Sequence, residues 1–228
     1  MDIKKDTARS VVLLDSHAAL RDDLECLIEG TDDLSVVGSV ATVTDLSICL
    51  NFIQADVVVM GLVFDGADGL RCIADMSAAH PEIRILVLSQ LPEEVCAERV
   101  LNAGASGYLM KHTSAADLFD GIRRVAAGKV VVSSTMASHL LANFSKHSSK
   151  NEVDVFNRLT DRELHVLHLV GQGHATARIA DQMGISKQTV STFKERIKTK
   201  LSLTSSLPLA QAAMQQLGSV QSYELDAK

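Results

Sequence analysis

The chain has 228 residues and a formal net charge of −6, with 46% hydrophobic and 22% charged residues: an ordinary globular composition, long enough for two modest domains. Charged Met1–Ser10 lacks the apolar segment of a secretory signal, and no apolar run reaches the roughly 20 residues of a membrane span, so a cytoplasmic protein without membrane contact is expected. Cys26, Cys49, Cys72 and Cys96 match no zinc spacing and read as reduced thiols, and the eight histidines are scattered, so neither metal nor cofactor is expected.

The charge is divided unevenly. Residues 1–130 carry 11 Lys and Arg against 20 Asp and Glu, a balance of −9, while residues 158–217 carry 8 against 4, a balance of +4. The later part is therefore the one suited to meet phosphates.

Residues 1–8 read as a tail. From Arg9 onward, short β-branched runs alternate with amphipathic patterns. Val11–Leu14, Leu34–Val37, Val57–Met60, Ile85–Leu88 and Gly107–Met110 read as five buried strands, with helices near 17–30, 43–53, 68–79, 93–103 and 114–127. Continuous apolar strands between helices require a parallel sheet covered on both faces. The order predicts an α/β flavodoxin-like (βα)5 domain over 9–130, with any site at the carboxyl ends of its strands.

A connecting segment follows over 131–157. Its Thr135–Phe144 stretch can form a short amphipathic helix, and polar Ser145–Asn151 reads as a flexible linker. Residues 158–218 then predict an all-α domain of four helices. Thr160 and Glu163 form a capping box ahead of Leu164, Leu167 and Val170, and Gly171 and Gly173 end that helix. The second carries Ile179, Ala180 and Met183 and stops at Gly184, a natural left-handed terminator. Ser186 caps the third. The fourth starts at Ser206 and Pro208, places Leu207, Ala210, Met214 and Leu217 on one side, and ends at Gly218 before a tail over 219–228.

The third helix has two unlike faces. Val190, Phe193, Ile197 and Leu201 fall together at helical spacing. The opposite arc holds Gln188, Ser191, Thr192, Glu195 and Thr199, with Lys187, Lys194 and Lys198 on one flank and Arg196 and Lys200 on the other. A helix lying in a DNA major groove needs this division: short polar groups toward base edges, cations toward the phosphate walls. Two capped helices and a glycine turn before it make a helix-turn-helix the stronger reading than a merely solvated face.

Leu159-Thr-x-Arg-Glu163, Val166-Leu167, Gly173, Ile179-Ala180, Ile185-Ser186, Thr189-Val190 and Lys200-Leu201 resemble the LuxR-type helix-turn-helix that ends response regulators of the NarL/FixJ family. The run Thr189–Lys194 is most similar to the BvgA/EvgA subgroup. Ala175–Arg178, Ser191 and Phe193 depart from the family pattern, which leaves the DNA sequence preference open. Residues 9–130 likewise resemble a receiver domain, through Leu13–His17, Ala55–Leu62, Leu86–Ser89 and Gly104–Lys111.

The resemblance implies roles residue by residue. The phosphoacceptor aspartate falls on Gly61, and the second of two paired acids falls on Ser16, leaving Asp15 alone. Ser89, Lys111 and Tyr108 stand at the hydroxyl, lysine and aromatic-switch positions. Together with Asp15, Ser16 and Gly61 they outline a degenerate phosphorylation pocket, a pseudo-receiver. In the DNA-binding part, Lys187, Lys194, Arg196 and Lys198, with Thr189 near the helix start, are expected at phosphates, and Gln188, Ser191, Thr192 and Glu195 at bases. The expected partner is double-stranded DNA, read by a homodimer joined through the receiver and the last helix. The alternative is an interaction protein that forms a heterodimer with a conventional response regulator and does not itself bind DNA. No nucleophile–base arrangement, metal cluster or phosphate loop suggests an enzyme.

Overall fold

Apolar runs flanked by helices become the strands of one sheet, fully buried at its centre and half-buried over most of β2 at one edge: β1 (Arg9–Leu14), β2 (Leu34–Val40), β3 (Val57–Met60), β4 (Arg84–Ser89) and β5 (Gly107–Met110). They form one sheet in the order β2-β1-β3-β4-β5, and every pairing is parallel. The computed structural model describes residues 8–64, 67–145 and 158–203, with Leu209, Ala212 and Ala213. The chain divides into two units, Met1–Ser138 and His139–Lys228.

Between and after the strands of the first unit lie α1 (Ala18–Glu29), α2 (Val43–Leu50), α3 (Gly69–Ala79), α4 (Glu93–Asn102) and α5 (Ala115–Ala126). Thr42, Asp68 and Ser114 start α2, α3 and α5, each accepting a backbone N–H three residues on. Leu24 and Ile28 of α1 and Leu118, Ile122 and Val125 of α5 pack with Val11, Leu13, Val57, Val59, Leu86 and Leu88 of the sheet. Strand order reverses at β1, so the chain leaves the adjacent carboxyl ends of β1 and β3 toward different neighbours, the place where a doubly wound sheet holds its site. The flavodoxin-like expectation is met.

Two details exceed the sequence reading. β2 runs to Val40 rather than Val37, because a register shift pairs Val11 with Val36 but Val12 with Gly38. The lack of a side chain at Gly38 permits that close approach, since a Cβ there would stand 2.8 Å from Cys49 Sγ. In addition, the residues after α5 remain on this unit. Tyr108 N–H donates to Val131 O at 2.8 Å and Val131 N–H to Ser106 O at 3.0 Å, which lays Val131 against the outer edge of β5. Ser133 N–H then donates to Glu93 Oε1 at 2.7 Å, and α6 (Ser134–Ser145) begins with Met136 buried. An edge strand otherwise offers unpaired backbone groups to other chains, and Val131 covers this one.

The second unit contains α7 (Asp161–Gly171), α8 (Thr176–Met183) and α9 (Lys187–Lys200). Leu164, Leu167, Ile179, Val190 and Ile197 are buried in it. Leu209, Ala212 and Ala213 are helical, and the remainder of the expected fourth helix lies outside the described residues. Among the described residues, no helix is long and apolar enough to cross a membrane.

The edge contact generates a stability prediction. Val131 is buried whereas Val130 is 58% exposed, so Val131→Ala should lower the unfolding free energy by about 1–3 kcal/mol and Val130→Ala should change it little. Urea unfolding of both variants makes the comparison; equal midpoints would mean that the edge contact contributes nothing.

Candidate nucleic-acid interface and strand-end pocket

In the second unit, the Thr160–Glu163 capping box does more than start α7. Glu163 Oε2 accepts Thr160 N–H at 2.8 Å and also Lys200 Nζ at 2.7 Å, from the far end of α9. The Glu163 side chain is only 3% exposed. One buried carboxylate thus fixes the beginning of α7 against the end of α9. Gly184 closes α8 in the left-handed region at φ 63°, which turns the chain sharply into Ser186. Ser186 Oγ then accepts Thr189 N–H at 3.0 Å and starts α9.

On α9, Val190 and Ile197 are buried, and Gln188, Ser191, Thr192, Glu195 and Thr199 are all exposed. The arc read from the sequence is therefore the open face of the helix. Lys187 and Arg196 are exposed on its flanks, and Thr189 is half-buried at its start. The other three flanking lysines are engaged, Lys200 with Glu163 as above. Lys194 Nζ donates to Thr176 Oγ1 of α8 at 2.9 Å, and burial, then the nearby Lys198 ammonium, lowers the Lys194 pKa. Lys198 Nζ donates to Glu195 Oε1 at 2.6 Å, its side chain 15% exposed against 71% for Glu195. Spacing placed all five cations beside the arc. It carried no sign of Thr176 or Glu163 as partners of Lys194 and Lys200, because both contacts join different helices.

The other candidate lies at the carboxyl end of β1. Asp15 is buried there, and its two carboxylate oxygens face different partners. Oδ2 accepts Lys111 Nζ at 2.6 Å, and Oδ1 accepts the His17 backbone N–H at 2.9 Å, with His17 Nδ1 also at 2.9 Å. Arg21 Nη1 donates to the Asp15 backbone carbonyl. Burial is the largest influence on the Asp15 carboxyl and raises its pKa; the Lys111 hydrogen bond and charge, with His17, outweigh it, so the net direction is downward.

Gly61 follows β3 directly opposite. Its N–H donates to Leu14 O at 2.8 Å, and a Cβ built on it would stand 2.7 Å from Asp15 Oδ2. The carboxylate therefore occupies the space that a side chain at 61 would need. Ser16 is exposed, and Asp68 is committed to the N-terminus of α3 through Arg71 N–H. Asp65 lies outside the described residues. Ser89 Oγ accepts Leu91 N–H at 3.1 Å, and the Tyr108 hydroxyl donates to Leu91 O at 2.6 Å with its ring fully buried. Burial, first among several causes, pushes the Tyr108 hydroxyl pKa well above its ordinary value, so it remains a proton donor. Asp15, Gly61 and Lys111 are thus brought together, and Ser89 and Tyr108 meet at Leu91. Among the described residues, no group of three or more His, Cys, Asp or Glu is placed to hold a metal ion.

Residues 157–213 match the luxR family of bacterial regulatory proteins, and residues 11–123 match the response regulator receiver domain. The oxygen regulatory protein NreC of Staphylococcus haemolyticus is 30% identical over 208 residues, which span 90% of this chain and 96% of NreC. BvgA of Bordetella pertussis, named as a transcription regulator of virulence factors, is 33% identical over 204 residues, 89% of this chain and 95% of BvgA. RcsB of Salmonella enterica serovar Typhimurium, solved bound to promoter P1flhDC with a phosphomimetic, shares the fold at TM-score 0.57 and 23% identity, across 90% of this chain and 98% of that one.

The pocket predicts a pH dependence. Because the Asp15 pKa is lowered by folding, its stabilising contribution is complete above the ordinary carboxylate value of roughly 4 and is lost as pH falls through the lower folded value. Lys111→Met leaves a buried carboxylate without its cation, so stability at neutral pH should fall by about 3 kcal/mol. Burial then acts on Asp15 without that cation, so the deficit should be largest at neutral pH and shrink as pH falls and the carboxylate takes up its proton. Urea titrations across the acid range check both, and a deficit that stays the same at every pH would contradict the assigned partner.

Proposed function

Because the chain belongs to the two-component response regulators, joining a receiver domain to a luxR-family DNA-binding domain, it is a DNA-binding transcription regulator and not an enzyme, and we propose that its receiver works without aspartyl phosphorylation. The observation that carries this reading is at Gly61. Phosphoryl transfer to a carboxylate needs a nucleophilic carboxylate and a site for a divalent cation. The position after β3 has no side chain, and the one buried carboxylate beside it already holds Lys111 and His17. Mg²⁺ binds through a near-octahedral shell of hard oxygens, and a single carboxylate neutralised by a lysine does not fit it. Asp15 and Lys111 serve as a standing ion pair across the strand ends.

DNA contact falls to α9. Lys187 and Arg196 reach phosphates as they stand, whereas Lys194 and Lys198 do so by leaving Thr176 and Glu195. Gln188, Ser191, Thr192 and Glu195 face the bases, and Thr189 contacts phosphate near the helix start. A homodimer joined through the receiver and the last helix reads paired half-sites, which lifts a weak single module to useful affinity. The chain acts in the cytoplasm.

Two measurements test the proposal. Incubation of the full chain with acetyl phosphate and Mg²⁺ should add no phosphoryl mass; a Mg²⁺-dependent gain overturns the phosphorylation-independent reading. In salt titrations of DNA binding, Lys187→Ala and Arg196→Ala should each flatten the slope by roughly one phosphate's share, and Lys194→Ala by less. A chain that shifts no duplex would instead act through a partner regulator.

A further inference from the structure

The open face of α9 has a hydrogen-bonding polarity that its residue types alone do not reveal. Ser191 Oγ lies 3.1 Å from Lys187 O, Thr192 Oγ1 3.0 Å from Gln188 O, and Thr199 Oγ1 3.0 Å from Glu195 O. A backbone carbonyl only accepts, so in each contact the hydroxyl proton points back along the helix. What each hydroxyl turns outward is its lone pairs. Glu195, the charged residue at the arc's centre, adds a carboxylate, which also only accepts and whose Oε1 receives Lys198 Nζ while the side chain stays 71% exposed. The middle of the reading face is therefore an acceptor surface, edged by the donors Lys187 and Arg196.

Bases differ in what they can offer such a surface. In the major groove, the donors are the exocyclic amino groups of adenine N6 and cytosine N4, while guanine and thymine present acceptors there. We infer that Ser191, Thr192 and Glu195 read amino groups of adenine and cytosine, so that the operator is defined at these positions by which strand carries the amino group. The inference rests on the DNA-binding reading of α9 and gives it a chemical direction. An amino group donating to Ser191 or Thr192 adds a bond while the helix contact stays in place. Turning the hydroxyl toward guanine exchanges one bond for another and gains nothing. Glu195 strengthens the bias, because a carboxylate repels guanine O6 and N7. Gln188, exposed one turn earlier, offers both donor and acceptor and suits the N6 and N7 of adenine.

The test uses the full chain and duplexes it enriches from a random library. Within an enriched duplex, each adenine is replaced in turn by purine, each cytosine by pyrimidin-2-one, and each guanine by 7-deazaguanine. Removal of the amino group at one or two positions should weaken binding by about three- to tenfold. Ser191→Ala or Thr192→Val should abolish that sensitivity at one position and leave the others unchanged, a coupling that weakened base pairing alone cannot produce. Equal losses in variant and parent chain would overturn the inference, as would losses confined to 7-deazaguanine positions. Enrichment of no duplex at all would overturn the DNA-binding reading and this inference with it, an outcome distinct from enrichment of guanine-read sites.

Discussion

The ion pair between Asp15 and Lys111 sets the terms for the first unit. It joins the end of β1 to the residue after β5 at 2.6 Å, across the strand ends where a doubly wound sheet holds its chemistry. Removing a carboxylate from water costs several kcal/mol, and only close opposite charge with further hydrogen bonds offsets it. Asp15 has both, from Lys111 and from the His17 N–H. Gly61 suits the arrangement, because a Cβ there would stand 2.7 Å from Asp15 Oδ2 and that oxygen would have to shift. An aspartate at 61 would set two carboxylates together around a single lysine.

Glu163 has the corresponding part in the second unit. Its carboxylate closes the capping box of α7 and binds Lys200 at the end of α9, so α9 is held at its carboxyl end while Ser186 holds its start. The polar arc is consequently presented by a helix fixed at both ends and packed through Val190 and Ile197. Positioning of this kind matters because base readout depends on side chains reaching a groove edge in fixed register.

Much of this was legible from local sequence, for physical reasons that also explain what was not. The capping box, the Ser186 cap and the left-handed Gly184 involve residues a few positions apart, and chain chemistry alone decides them. The central strands β1, β3 and β4 were legible because burial on both faces leaves only apolar choices, whereas β2, expected buried as well, is mostly half-buried at the sheet edge. The three added residues of β2 were not, since they follow from a register shift against β1 that only the pairing creates. Lys194 and Lys200 illustrate the same boundary. Their spacing puts them beside the polar arc, but whether an ammonium faces solvent or a neighbouring side chain depends on where Thr176 and Glu163 of other helices lie. Val131 is the clearest case: a β-branched residue past a glycine reads as linker, and only the open edge of β5 makes it a buried contact.

That edge contact joins two features that the sequence kept apart. Tyr108 uses its backbone N–H to hold Val131 and its hydroxyl to hold Leu91 O. Two residues beyond Leu91, Glu93 accepts Ser133 N–H immediately before α6. The segment before α6 is therefore tied to the edge of β5 and to the first residue of α4 by three hydrogen bonds: Tyr108 N–H to Val131 O, Val131 N–H to Ser106 O and Ser133 N–H to Glu93 Oε1. Contiguity of this sort is not coupling by itself, which requires an element with two arrangements that both ends bias. What the contacts do establish is the cost of any rearrangement. Freeing the segment at 131–133 would uncover the edge of β5, expose Val131 and leave the Glu93 carboxylate without its backbone donor.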